Sequence, residues 1–597
     1  MRIAWNIKLY VCIVFGSCVF MTAVAQVKND SIPTKSYTRK TLEKGIGLIS
    51  TNSTDTITNE LSIDAFKLYE NKIIRKINIE FIGLERSIYD SSKRVNKMVS
   101  NVANALHSNT REIVIRSHLF IRENKPLNPS LLADNERFLR DLDFILDARF
   151  IITPIAGTDS VDITAITRDV FSLGASAGGS PLAPKFSIYD ANVAGLGQRL
   201  QFSGLVDAGR TPNFGSSIYY RKSSWLGSLT NIEFAITQLN SGISQGGENE
   251  FAYFARINRP LVSPYSRLAG GFELSNNWSA NVYKKPDSVF LNYSYKIFDT
   301  WVGYNIGIKN KFENRNRHFL AVRYFNTYFT EVPEQKGYGN LVQYNSAKGW
   351  LGEITFYQKN FFKTRYVFGF GRTEDVPFGI STSFTAGYVR QLQIDRPYAA
   401  VKLNYSKANK KGNFYLLKLE SRTYYRNNKA EDFLIRTEAT FYTRAFTINR
   451  YKIRSFLTGG YSQLINQATD NYIKVSKSQV YGLAADSLLG TQQFYARVET
   501  TLYTPWSLIG FRFAPFTGLD WSQLDCTFCK ESRPTIFGIN AGLRTRNENL
   551  IFGTMEIRFT YIPDDGSGNN QFKINFRQNL QIKNSGNFIV APSLITN

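Results

Sequence analysis

Residues 572–582 read FKINFRQNLQI. Phe572, Ile574, Phe576, Leu580 and Ile582 alternate with Lys573, Asn575, Arg577, Asn579 and Gln581, and only Gln578 breaks the pattern. A side-chain period of two means an extended strand with one apolar and one polar face. The run is long enough to cross a bilayer obliquely. Residues 551–561 repeat the arrangement, with Ile551, Met555, Ile557, Phe559 and Tyr561 on one face and Thr554, Glu556, Arg558 and Thr560 on the other. Strands of this kind predict a mainly β chain that closes into a transmembrane antiparallel β-barrel, because hydrocarbon does not tolerate an open sheet edge.

The N-terminus agrees with export. Arg2 and Lys8 precede an apolar run from Leu9 to Ala23, and Ala23-Val24-Ala25 stand before Gln26. That order predicts a cleaved signal peptide over 1–25, and the run is short for a membrane anchor. Cys18 follows Phe15-Gly16-Ser17, a poor lipid-attachment motif. No other apolar stretch approaches the roughly 18 residues of a spanning helix, so strands must do any crossing. Aromatic residues make up 14% of the chain, with 33 Tyr and 45 Phe, which suits interfacial girdles.

The formal charge of +24 becomes +22 when Arg2 and Lys8 leave with the signal. Export makes nucleic acid an improbable partner, and the charges are spread along strands and loops. They suit anionic lipid head groups, lipopolysaccharide included, or else solvated loops and paired lumen charges. The mature chain keeps two cysteines, Cys526 and Cys529. With no second pair and three histidines in all, a zinc site or redox dithiol is a poor fit, leaving a local loop disulfide or two free thiols.

Along the chain, 26–69 is rich in Ser, Thr, Lys and Asn without periodicity and reads as a disordered leader or linker. From 70 to 168 the pattern mixes types. Residues 72–83 alternate as a strand, 91–107 follow helical spacing, and the length of 111–122 favours a helix. Asn128-Pro129 caps another helix, with Leu131, Leu132, Phe138, Leu139 and Leu142 on its apolar face. Strands at 148–155 and 161–167 complete a small α+β domain. From 169 to 597 strands follow one another, and direct counting gives roughly twenty. Tight connections at 194–197, 226–228 and 546–549 alternate with long ones at 240–248, 465–490 and 524–534. Strand length argues against a soluble sandwich or propeller.

The polar faces carry both signs: Lys418, Glu420 and Arg422, then Arg436 and Glu438, Arg497 and Glu499, Glu556 and Arg558, and Lys573 and Arg577. Two readings stand, an ion-pair lattice bracing the wall and a substrate-binding strip. Catalysis has little footing. The barrel region holds one histidine, His318, without a partner motif, while His107 and His118 belong to the small domain. No nucleophile elbow, zinc helix or phosphate loop is present, and no enzyme activity, metal or cofactor is expected.

An α+β module ahead of a long barrel resembles the BamA/TamA superfamily of outer-membrane assembly and secretion proteins, whose soluble modules are POTRA domains. Residues 127–154 look like the second helix and middle strand of such a module, and 186–197 resemble the family's early strand and glycine turn. The most telling block runs through Val480, Tyr481, Gly482 and Leu483 to the strand 493–503 and Phe513-Ala514-Pro515-Phe516. In the family a long loop with a Val-Arg-Gly-aromatic motif folds into the lumen just before this strand pair. Here Tyr481 replaces the arginine and Leu483 the aromatic. The family's acidic partner aligns with Gly518, leaving Asp520 as the nearest acid on that face.

The resemblance implies sixteen strands, a POTRA-like domain in the periplasm, and a protein that accepts unfolded polypeptides there and inserts or secretes them. It also implies accessory assembly proteins as partners. The residues expected to matter are the seam between strands near 169–179 and 571–583, the loop at 480–483 and the edge strand 148–155. A passive or selective channel and an adhesive or structural surface barrel are the alternatives.

Overall fold

The computed structural model describes residues 60–596 apart from 83–108, 181–182, 245–246, 307–314, 336–340, 368, 470–471, 476–478, 482, 484–487, 509–510, 526–534, 548–553, 567 and 580–588. The signal peptide, the helix expected at 91–107, Gly482 and the pair Cys526 and Cys529 lie outside the described residues.

Twenty strands, from Leu173–Ser180 to Gln571–Asn579, pair antiparallel each with the next. They form a nearly closed barrel. The last strand lies beside the first with no residue register between them among the described residues. Direct counting therefore describes this chain, and the sixteen implied by resemblance is corrected. The hairpins are regular, as in Glu374–Gln391, which is paired along its length with Ala347–Thr364.

Alternation decides which face each side chain takes. In Thr554–Ile562, Thr554, Glu556, Arg558 and Thr560 are buried while Ile557, Phe559 and Tyr561 are exposed. Phe572, Ile574 and Phe576 are exposed on the neighbouring strand. This outer apolar band is what hydrocarbon requires of a barrel wall. Among the described residues no helix is long and apolar enough to cross a membrane.

The small domain carries a three-stranded sheet in which Ser160–Asp169 is central, parallel to Ile73–Ile82 and antiparallel to the edge strand Ile145–Pro154. Among the described residues two α-helices accompany it, α1 (Glu112–Ser117) and α2 (Pro129–Arg140). Asn128 Oδ1 accepts from the N–H groups of Ser130 at 2.9 Å and Leu131 at 3.2 Å, with Pro129 at the first position, so the cap works as the sequence implies. Helix α1 is shorter than the helix expected over 111–122. His118 ends it by turning its Nδ1 to the Val114 carbonyl at 2.6 Å, and Asn135 of α2 then holds the following backbone at Phe120 N. A second correction concerns 60–69, assigned by composition to the leader. Glu60–Leu61 pairs with Lys363 and Phe362 of the barrel, and the 3-10 helix Asp64–Tyr69 buries Phe66 in the domain core. One apolar side chain with a core to enter outweighs a polar composition.

The domain sits on the barrel end that carries the tight turns. In one of these, at 193–197, Gly195 has φ +71, and a Cβ there would lie 2.2 Å from the Asn109 carbonyl oxygen. That close approach lets Arg111 N donate to Gly195 O at 3.0 Å and seats the start of α1. The strands that end at Asn240 and Ile465 lead into long connections at the far end.

Candidate functional site

Inside the barrel the charged faces pair across neighbouring strands. Lys418 meets Glu438 at 2.9 Å and Arg436 meets Glu420 at 3.3 Å, each between residues directly opposite in register. Deeper, Glu499, Arg544, Glu556 and Arg558 close a ring. Arg544 reaches Glu499 at 2.7 Å and Glu556 at 2.8 Å, and Arg558 reaches the same two carboxylates at 2.9 Å each. Arg422 is fully buried against Tyr424. Such a lattice satisfies charges that a barrel interior would otherwise leave unpaired.

From the long connection after Ile465, the described residues Val480, Tyr481 and Leu483 pack against the inside of the wall. Tyr481 N donates to Asp520 Oδ2 at 2.9 Å, and the same carboxylate accepts from Arg497 Nε at 3.0 Å and Asn540 Nδ2 at 2.8 Å. The Tyr481 ring lies under three wall guanidinium groups, at 3.7 Å from Arg558, 4.0 Å from Arg497 and 5.1 Å from Arg577. Val480 is completely buried and Leu483 nearly so, both in one apolar cluster with Leu434, Leu464, Leu524 and Ile536. The polarity of the contact is thus reversed. The loop offers a ring and a backbone N–H, and the wall supplies the cations.

At the opposite end α2 meets the barrel with charged side chains. Asp134 pairs with Arg315 at 2.8 Å and accepts from Ser263 Oγ at 2.7 Å. Arg140 bridges Glu136 at 2.8 Å and Asp375 through two hydrogen bonds of 2.8 Å, while Lys363 reaches Glu136 at 2.5 Å. Arg137 donates to Val262 O at 2.8 Å and lies over the Phe361 ring at 4.3 Å. All four α2 residues are buried. Burial alone would raise the Glu136 pKa, but Arg140 and Lys363 outweigh it and hold the carboxyl below its ordinary value.

Of the residues singled out in the sequence, the structure brings Val480, Tyr481 and Leu483 together with Asp520, Arg497, Arg558 and Arg577. Lys418, Glu420, Arg436 and Glu438 form a separate lateral ladder. Lys573 lies on the last strand, opposite Thr560. Sequence reasoning missed the α2 clamp. Its one available signal was the polar side of α2, where Asp134, Glu136, Arg137 and Arg140 follow helical spacing opposite the apolar stripe and look like a solvated face.

No family model matches the sequence, and no curated protein does. Solved structures do resemble it. BamA from Haemophilus ducreyi lacking POTRA domains 1-3 aligns with 92% of this chain and 94% of that one, at 10% identity and a TM-score of 0.32. CdiB from Escherichia coli covers 85% of this chain and 76% of its own, at 12% identity and 0.39. CdiB from Acinetobacter baumannii covers 93% and 84%, at 11% identity and 0.38. The chain is similar, over most of its length, to barrels of the BamA and CdiB kind.

Proposed function

We propose that this protein is an outer-membrane assembly or translocation factor, acting without enzymatic chemistry, that receives extended polypeptides at its domain-bearing end and inserts or exports them. The observation that supports the reading is that separate elements dock on the barrel at its two ends, α2 at one and the loop residues Val480, Tyr481 and Leu483 from the other. The α2 contact rests largely on ion pairs and hydrogen bonds, and the loop contact adds two buried apolar side chains to its polar ones. A barrel built as a passive pore would gain nothing from two such docked elements. Strand addition supplies the physics for a client: among the described residues the edge strand Ile145–Pro154 has no strand on its outer side, where Glu136 and Arg140 of α2 hold Phe150 N and Ala148 O, and the seam between Leu173–Ser180 and Gln571–Asn579 is the one junction of the wall without a residue register. On this reading the small domain faces the periplasm, where unfolded clients and accessory assembly proteins are found.

Depletion of the protein in its host, followed by quantitative proteomics of the cell surface, tests the proposal. Loss of a defined set of outer-membrane or surface proteins is expected. An unchanged surface proteome overturns it.

A further inference from the structure

Residues 589–596, which follow the last strand, lie inside the barrel and cross it from one docked element to the other. Ile589 packs with Leu261, Phe319 and Tyr357 near the α2 end, where Arg137 lines the same small cavity. Ile595 is buried in the apolar cluster that also holds Val480 and Leu483 of the loop. Between these points the contacts are mostly to main chain. Arg323, held by both oxygens of Asp299, donates to Pro592 O at 2.7 Å. Ile595 N donates to the Tyr398 hydroxyl at 2.9 Å, and Arg436 donates to Thr596 O at 3.1 Å. Lys402 adds 2.8 Å to Ser593 Oγ.

We infer that this strip of wall is a binding site for an extended polypeptide of loosely specified sequence, and that residues 589–596 occupy it as a resident substitute for a client. The inference rests on the proposed function and names the site of that activity. Recognition through backbone carbonyls and one backbone N–H tolerates variation in side chains, as strand-type peptide binding does. Side-chain specificity is limited to two apolar pockets, filled here by Ile589 and Ile595. The cations Arg323, Lys402 and Arg436 come from three different strands, so the strip runs across the wall and follows the path a chain would take through the lumen. Because the occupant touches residues beside both docked elements, a competing segment would loosen α2 and the loop together.

The test uses the full-length protein in detergent with Cys526→Ser and Cys529→Ser. A fluorescent synthetic peptide with the sequence of 571–579 serves as the extended probe. Ile595→Asp, and separately Lys402→Gln with Arg436→Gln, address the occupant and the strip. Lys402→Cys with Ser593→Cys, joined by a short bismaleimide, fixes the occupant in place, since a lysine-to-serine contact sets the backbones beyond disulfide reach. Ile595→Asp is expected to raise peptide affinity at least tenfold, the strip double variant to lose binding, and the linked protein to bind none. Equal binding by the linked and unlinked proteins, or none by Ile595→Asp, overturns the inference. Bilayer conductance of Ile595→Asp should rise above wild type, and a conductance equal to wild type counts against an occupying role. Peptide competition as expected, with an unchanged surface proteome on depletion, would retain the site and sink the assembly reading alone.

Discussion

The amide of Tyr481 points at the carboxylate of Asp520 across 2.9 Å, and the ring of the same tyrosine is roofed by Arg558 at 3.7 Å. One residue of the loop thus engages an acid through its backbone and cations through its side chain. Replacement of Tyr481 by Phe keeps both contacts, because neither uses the hydroxyl. Tyr481→Ala loses the ring and should weaken loop docking by roughly 2 kcal/mol. Protease accessibility of the loop 466–491 in folded protein checks this; equal cleavage of the Phe and Ala variants would remove the ring from the explanation.

Asp520→Ala is expected to be worse. It leaves Arg497 and Asn540 facing each other inside the wall without the acid that joined them, and truncating one partner of a buried pair costs roughly 3–5 kcal/mol. The folded band in heat-modifiability gels should disappear at a lower temperature than in Tyr481→Ala.

Arg140 and Asp375 join domain to barrel, so Asp375→Ala should release α2. The Glu136 carboxylate keeps Lys363, which makes the loss partial. Hydrogen exchange of α2 amides in the full protein is expected to quicken at least tenfold, with the barrel strands unchanged. Unaltered α2 protection would mean that the clamp contributes nothing to docking.

Two groups in the small domain give opposite pH dependences. Burial between Phe138 and Phe144 holds the His118 pKa down to about 4. Its neutral form is favoured by folding, so this contribution is complete above about 6.5 and lost as pH falls toward 4. Burial, with Glu136 and Asp375 nearby, pushes Asp147 up to about 6. Its protonated form is favoured, so that contribution is complete below about 3.8 and lost as pH rises through 6. The two largely offset each other between pH 4 and 6. His118→Gln should make the domain more stable on acidification and Asp147→Asn less stable, each by roughly 1–3 kcal/mol. Exchange rates of α2 amides against pH report both signs, and parallel trends in the two variants would refute the assignment.

On the wall, Ile557 faces lipid midway along its strand, whereas Asn575 of the next strand faces inward. Lysine at 557 should cost roughly 2–4 kcal/mol and lysine at 575 far less. Urea titration in lipid vesicles measures both.

Strand existence, face and approximate number were legible in 572–582 and its counterparts because alternation is a local property of an extended chain. The loop at Val480 and Tyr481 was legible through resemblance, and Asp520 through its position on the following strand. The α2 clamp was not. A helix face bearing Asp134, Glu136, Arg137 and Arg140 reads the same whether water or Arg315, Lys363 and Asp375 stand opposite it. The residues 589–596 carried no periodic signal either.

What the sequence by itself determined is the wall: each second side chain apolar, each connection polar, a chain that can satisfy its backbone in hydrocarbon only by pairing strand to strand. Tertiary structure decided what fills the ring. Twenty strands enclose a space wide enough to admit a helix face, a loop and residues 589–596. Their partners lie up to 269 positions away, as Arg323 does from Pro592. Contacts at such separation follow from closure of the barrel, and closure is a property of the whole set of strands.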